Sequence, residues 1–203
     1  MNRIPGIRAF VAVPLPDRVK ELIQNCQGRL QSLIQGQAVR WVRPEQLHLT
    51  LKFYGKVAAK DVTALISALR PSCGNACRFK LSLADLGCFP SHQRPSVLWL
   101  GVSGDSATLV EIQKKIEAAT QTFGSHAEDR HFHPHLTIGR VKAGGSQSRL
   151  VGQIVRDHRL SDFPEWEVRE VELIQSSLSP QGTSYRSLAV LPLGARREPG
   201  KST

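Results

Sequence analysis

Apolar positions along the chain switch between a period of two and a period near 3.6, and the switches mark out the elements. Residues 7–13 (IRAFVAV) form a strand that stops at Pro14 and Pro16. Asp17 is a suitable N-cap for a helix to about residue 35, with Val19, Leu22, Ile23, Cys26, Leu30 and Leu33 as its apolar stripe and Gly36 as its stop. A short extended piece, VRWVRPEQ, leads into a strand at 48–55, HLTLKFYG. Val62, Leu65, Ile66 and Leu69 give a helix over 61–70 that Pro71 ends, and residues 79–87 alternate again as a strand.

The order then recurs: a strand at 96–102, a helix at 106–122 carrying Leu109, Ile112, Ile116 and Ala119, a strand HLTIGR at 135–140, a helix near 146–156, and a long alternating strand at 166–175. Residues 185–193 add a final strand. Both halves therefore read strand, helix, HLT-strand, helix, strand, which implies an internal duplication too long in period for a solenoid. Antiparallel or mixed sheets with helices on one side bury these faces, so the expected class is α+β. We expect one domain of two lobes over 1–194, with interleaved repeats, and a disordered tail over 195–203, which is polar and basic.

Composition changes the picture in two ways. A formal net charge of +10 and a pI near 10 favour an anionic partner such as nucleic acid. Four dispersed cysteines, of which only Cys73 and Cys77 lie close in sequence, suit reduced thiols better than a disulfide framework or a zinc site. No apolar run approaches the roughly 20 residues of a membrane span, and the N-terminus reads as no signal peptide. The expectation is a cytoplasmic protein, monomeric by default.

The candidate chemistry lies in the repeated strand. Alternation puts His48 and Thr50 on one face and Leu49 and Leu51 on the other; His135 and Thr137 stand likewise against Leu136 and Ile138. Chance predicts roughly 0.3 His-x-Thr triplets in such a composition. Two copies with matching apolar neighbours, at matching places in a repeat, therefore point to a divided site. Opposed imidazoles suit an in-line displacement at phosphorus, one taking a proton from the nucleophile and the other giving one to the leaving oxygen. Strict alternation adds Lys52 to the His48 face and sets Arg140 opposite His135, although Gly139 permits a twist. Phe10, Trp41 and Tyr185 are candidates to stack on a base, and the core is the alternative place for each.

The pair HLTL and HLTI, with RAFVAVPLP before it and SLSPQGTSYRSLAVLPL after it, resembles the 2H phosphoesterase superfamily. Within it, the chain is similar to the RNA 2′,3′-cyclic phosphodiesterases, also called 2′-5′ RNA ligases, from about residue 3 to 193. The resemblance implies a bilobal, pseudo-twofold fold with a central cleft and no metal or other cofactor. It implies His48 as proton donor to the departing 3′ oxygen and His135 as proton acceptor from water. Thr50, Thr137 and Arg140 would hold phosphate oxygens, and the product would be a 2′-phosphomonoester. The partner would be RNA ends bearing the cyclic phosphate, from tRNA-like fragments or oligonucleotides, with 2′-5′ ligation as a related reaction.

Two rivals stand beside this. A metal-dependent hydrolase would use His131, His133 and His135, with His126 or Asp129; Pro134 interrupts that strand, and the His48 copy is left unexplained. A non-catalytic basic RNA-binding module accounts for the charge but not for the paired histidines.

Overall fold

The first apolar run, with Pro14 at its end, forms strand β1 (Gly6–Pro14) in the computed structural model, which describes residues 6–125, 131–142, 144–158, 163–180 and 182–195. Among the described residues, eight further strands and four α-helices follow in chain order. They are α1 (Asp17–Leu33), β2 (Val39–Trp41), β3 (His48–Ala58), α2 (Val62–Gly74), β4 (Phe79–Phe89), β5 (Val97–Gly104), α3 (Ser106–Ala119), β6 (His135–Val141), α4 (Gly145–Asp157), β7 (Trp166–Val168), β8 (Glu170–Ser179) and β9 (Gly182–Pro192).

The strands build two sheets, ordered β3-β1-β8-β9 and β2-β6-β5-β4-β7, and every pairing within them is antiparallel. The class is α+β. The duplication is legible in the orders themselves, since β3-β1-β8 and β6-β5-β4 correspond. Each sheet nevertheless draws strands from both halves of the chain. Helices cross over in the same way: α2 and α3 pack with the first sheet, α1 and α4 with the second. One contiguous apolar core lies under both sheets, and it includes the anchors Leu49, Leu98, Leu100, Leu136 and Ile138, all fully buried. Each such side chain contributes roughly 1.5–3 kcal/mol on leaving water. Those anchors hold the two HLT strands rigidly from behind.

Several boundaries differ from the sequence reading for physical reasons. Asp17 is the first helical residue rather than the N-cap; Pro16 holds that position, and the Asp17 carboxylate accepts from Lys20 at 2.9 Å. Pro71 does not end α2, which runs on to Gly74 because Ser72 and Cys73 are buried there. β3 continues past Gly55, whose φ of +67° carries a bulge, to Ala58. The run 166–175 is two strands in different sheets: β7 pairs with β4, and β8 with β1 and β9. The adjacent polar residues Arg169 and Glu170 break the alternation between buried Trp166 and Val168 and buried Val171 and Leu173.

Cys26, Cys73 and Cys88 are buried free thiols. Burial pushes Cys26 and Cys73 up to about 11, which suits packing residues and not nucleophiles. Among the described residues no helix is long and apolar enough to cross a membrane. The expected tail lies, from residue 196 on, outside the described residues.

Candidate active site

The backbone just before each HLT strand fixes its histidine. A 3₁₀ turn, Pro44–Gln46, precedes β3, and His48 Nδ1 lies 2.7 Å from the Gln46 carbonyl oxygen. At the start of β6, His135 Nδ1 lies 2.6 Å from the His133 carbonyl oxygen. A carbonyl only accepts, so Nδ1 carries the hydrogen in both rings. The neutral tautomer is thereby set, with the Nε2 lone pair left for chemistry. The same bond to the residue two positions back, made twice, is the structural form of the sequence repeat.

Apolar and aromatic side chains surround each ring differently. Phe10 stacks on His48 with centroids 4.6 Å apart, and Tyr185 meets the same ring edge-on at 5.3 Å. Phe89 meets His135 edge-on at 5.1 Å, with Trp99 at 6.4 Å. Burial disfavours the charged imidazole and pushes His48 down to about 4, against a smaller opposing effect of the Gln46 carbonyl. A charge on His135 lowers His48 further, so the two rings feel each other. His135 is also lowered, first by burial and then by His133 and Arg140, while the His133 carbonyl opposes. Both rings are neutral at pH 7 in the free protein.

Burial of a neutral ring also makes stability depend on pH. Between pH 6.5 and about 4 the unfolded chain takes up a proton at His48 that the folded protein refuses, so stability falls as pH drops through that window. The full effect is roughly 3 kcal/mol. His48→Gln is expected to lose less stability than the wild type between pH 7.5 and pH 4 in urea unfolding; parallel curves would refute the burial of a neutral ring.

Thr50 and Thr137 are half-buried, and their hydroxyls make no hydrogen bond among the described residues. Arg140 is exposed, and its side chain too has no hydrogen-bond or ion-pair partner among them. Its charge lowers both His135 and Tyr185, so it acts on the strands that carry those two rings. The cause is a bulge. Trp99 pairs with Thr137 and Leu98 with Gly139, so Ile138 is passed over and the parity of β6 shifts by one. Val42 N–H and the buried Gln27 side chain both donate to the Ile138 carbonyl, at 3.0 and 2.9 Å, and pin the bulge.

The same bulge in β3 corrects the expectation for Lys52. Val11 pairs with Lys52 and Ala12 with Thr50, so Leu51 is passed over and Lys52 turns to the core face. There its Nζ donates to Glu117 of α3 at 2.8 Å, and its side chain is 4% exposed. Lys52 does not share the face of His48. Phe53 is the counterpart of Arg140, and Arg8 of β1 lies 4.6 Å above its ring. Arg8 also acts on Tyr185, so a second cation reaches this face from a neighbouring strand.

Of the aromatic candidates, Phe10 is 3% exposed beneath His48 and offers no ring face to a base. Trp41 packs beside Gly139, where a Cβ would crowd its ring. Tyr185 is 36% exposed at the cleft, on a segment held by Gln46, whose side chain donates to the Thr183 carbonyl. The sequence reading missed Arg8, Phe89 and Trp99. The ring of His133 lies 5.0 Å from Trp99 and 5.4 Å from Phe89. Alternation placed Trp99 on a strand and ended the preceding one at residue 87, short of Phe89; only the sheet order puts both beside His135.

The metal alternative fares poorly in geometry. β6 begins at His135, so His131 and His133 precede the strand, although the His133 ring lies 6.1 Å from that of His135. Among the described residues no group of three or more His, Cys, Asp or Glu side chains gathers as ligands. His126 and Asp129 lie outside the described residues.

The model of the 2′-5′ RNA ligase superfamily matches residues 10–179. A protein of Archaeoglobus fulgidus named RNA 2′,3′-cyclic phosphodiesterase is 33% identical over 184 residues, covering 91% of this chain and 99% of its own. One of the same name from Methanothermobacter thermautotrophicus is 30% identical over 187 residues, covering 92% and 99%. Among solved structures, Escherichia coli LigT complexed with 3′-AMP superposes with a TM-score of 0.73 at 26% identity, covering 93% of this chain and 99% of that one. A protein of Thermus thermophilus shares the fold, with a TM-score of 0.76 at 24% identity over 94% and 100%.

Proposed function

Because the chain belongs to the 2′-5′ RNA ligase superfamily, we propose that its cleft hydrolyses RNA 2′,3′-cyclic phosphate ends by proton transfer between His48 and His135. The protein is a cyclic phosphodiesterase, and the observation that carries the two-histidine mechanism is the duplicated anchoring of Nδ1. It leaves two Nε2 atoms for one substrate.

In the proposed reaction, water attacks phosphorus while His135 Nε2 takes its proton. The P–O3′ bond breaks as His48, protonated at Nε2, gives a proton to O3′, and the product carries a 2′-phosphomonoester. The acid and base labels follow the family resemblance, since both rings are anchored alike at Nδ1. An anionic phosphodiester arriving beside two lowered imidazoles raises them, so the proton the acid needs is taken up with the substrate. Thr50, Thr137 and Arg140 bind the non-bridging oxygens, where charge must be held. Tyr185 borders the sugar or base, and Lys52 takes no part.

The same reading makes residues 1–194 one domain and the protein a cytoplasmic monomer acting on oligonucleotide or tRNA-fragment ends. The four unpaired cysteines accord with a reducing compartment. The test is purified, chelator-treated protein on RNA ending in a 2′,3′-cyclic phosphate, with the product phosphate located. Release of a 2′-phosphate is expected. A 3′-phosphate product, or activity lost to chelator and restored by zinc, would overturn the mechanism.

A further inference from the structure

Away from the cleft, the β4–β5 connection and α4 enclose a pocket of about 380 Å³, lined by His92, Gln93, Arg94, Arg149, Gln153 and Arg156. We propose that this pocket binds the phosphodiester backbone of the RNA strand upstream of the end held in the cleft. The proposal rests on the cyclic phosphodiesterase reading and extends it to substrate length.

The lining has the chemistry for a polyanion. It presents three guanidinium groups, an imidazole and two carboxamides, and no carboxylate among the described residues. Arg94 and Arg149 have no hydrogen-bond or ion-pair partner from their side chains among the described residues, and Arg156 meets Asp157 at 3.1 Å. The guanidinium fork matches phosphate oxygens two at a time, and carboxamides can hydrogen-bond to ribose or base edges.

The walls are also built, not incidental. Arg149, Gln153 and Arg156 fall at i, i+4 and i+7 on α4 and share one stripe. The neighbouring stripe, Ser148, Val151, Gly152 and Val155, is buried and seats the helix. Ser148 Oγ donates to the Pro95 carbonyl, and at Gly152 the helix comes so close to the His92 carbonyl that a Cβ would collide with it. The arginines of α4 are thus held against the loop that carries His92, Gln93 and Arg94.

Position links the pocket to the site. β4 ends at Phe89, whose ring lies 5.1 Å from that of His135, and the chain runs directly on into the pocket-lining loop. Three residues of chain span at most about 11 Å. A strand leaving the cleft past Phe89 reaches the arginines within a few nucleotides.

The test compares Arg94→Ala/Arg149→Ala with the wild type on two substrates: a mononucleoside 2′,3′-cyclic phosphate, and an oligoribonucleotide of about ten residues with the same end. The oligonucleotide KM is expected to rise about tenfold, while kcat and the mononucleotide KM stay within about twofold. The slope of log affinity against log salt should become shallower by about 1.4, as two lost contacts to a single strand require. An unchanged oligonucleotide KM and slope would overturn the proposal. So would an equal loss on both substrates, which would make the arginines structural. Fluorescence anisotropy with an oligonucleotide ending in a 3′-phosphate reads the pocket separately. If the wild type hydrolyses neither substrate, the cleft reading fails, while loss of binding in the double variant still upholds the pocket and retention refutes it.

Discussion

His48→Ala and His135→Ala are each expected to lower kcat on a 2′,3′-cyclic phosphate by about 10²–10⁴, the usual worth of one positioned proton transfer. KM should change little, because Arg140, Thr50 and Thr137 remain to hold the phosphate. The double variant should fall well short of the product of the two single losses, since the rings act as a unit on one displacement. Steady-state kinetics on a mononucleotide substrate measures all three. The wild type should give a bell-shaped kcat against pH, and each single variant should lose one limb of it. For kcat/KM, which reports the free protein, the acid limb should lie below the ordinary histidine value of 6.5, because burial lowers both rings. Wild-type turnover in either variant, or a flat profile between pH 5 and 9, would end the two-histidine mechanism. A uniform rise in KM with unchanged kcat would make the histidines binding groups and not acid and base.

Why the histidines could be read from the chain at all is a matter of repetition. His48 and His135 each stand before an apolar residue that the core fixes, so period-two alternation alone puts both imidazoles and both threonines on a common face. The α+β class and the repeated element order were legible for the same reason. What periodicity cannot convey is which sheet a strand joins. The segment 166–175 alternates nearly throughout, yet it leaves one sheet at Val168 and enters the other at Glu170. The doublet Arg169–Glu170 was the only local sign. Phe89 and Trp99 were hidden similarly, because their place beside His135 depends on β5 pairing with β6 and β4 with β5. The anchoring carbonyls of Gln46 and His133 belong to the backbone, and no side-chain pattern announces them.

Arg140→Gln is expected to lower kcat/KM by about 10²–10³, whereas Lys52→Met should leave both constants within about twofold. Strict alternation gives the reverse order, since it places Lys52 with His48 and Arg140 away from His135. The bulges at Leu51 and Ile138 decide between them. Each inserts one residue at the same place in its HLT strand, so the fourth position after histidine turns to the core and the fifth turns to the cleft. In β3 these are Lys52 and Phe53; in β6 they are Gly139 and Arg140. Glycine suits that core-facing position in β6 because a Cβ would press on Val39 and Trp41. Lysine is tolerated in β3 because Glu117 receives its charge at 2.8 Å. Methionine fills a similar volume, and Glu117, 39% exposed, can keep its charge in water, so the substitution should move stability by no more than about 1 kcal/mol. Arg140 has no such substitute in its own strand; Arg8 reaches the cleft from β1 on the other side. Glutamine keeps hydrogen-bonding capacity there but removes the charge that a pentavalent phosphorus needs to face. Arg140→Lys should recover part of the loss, since it restores the charge without the planar fork. Equal damage from Lys52→Met and Arg140→Gln would mean that the phosphate does not lie where the β6 bulge directs the arginine.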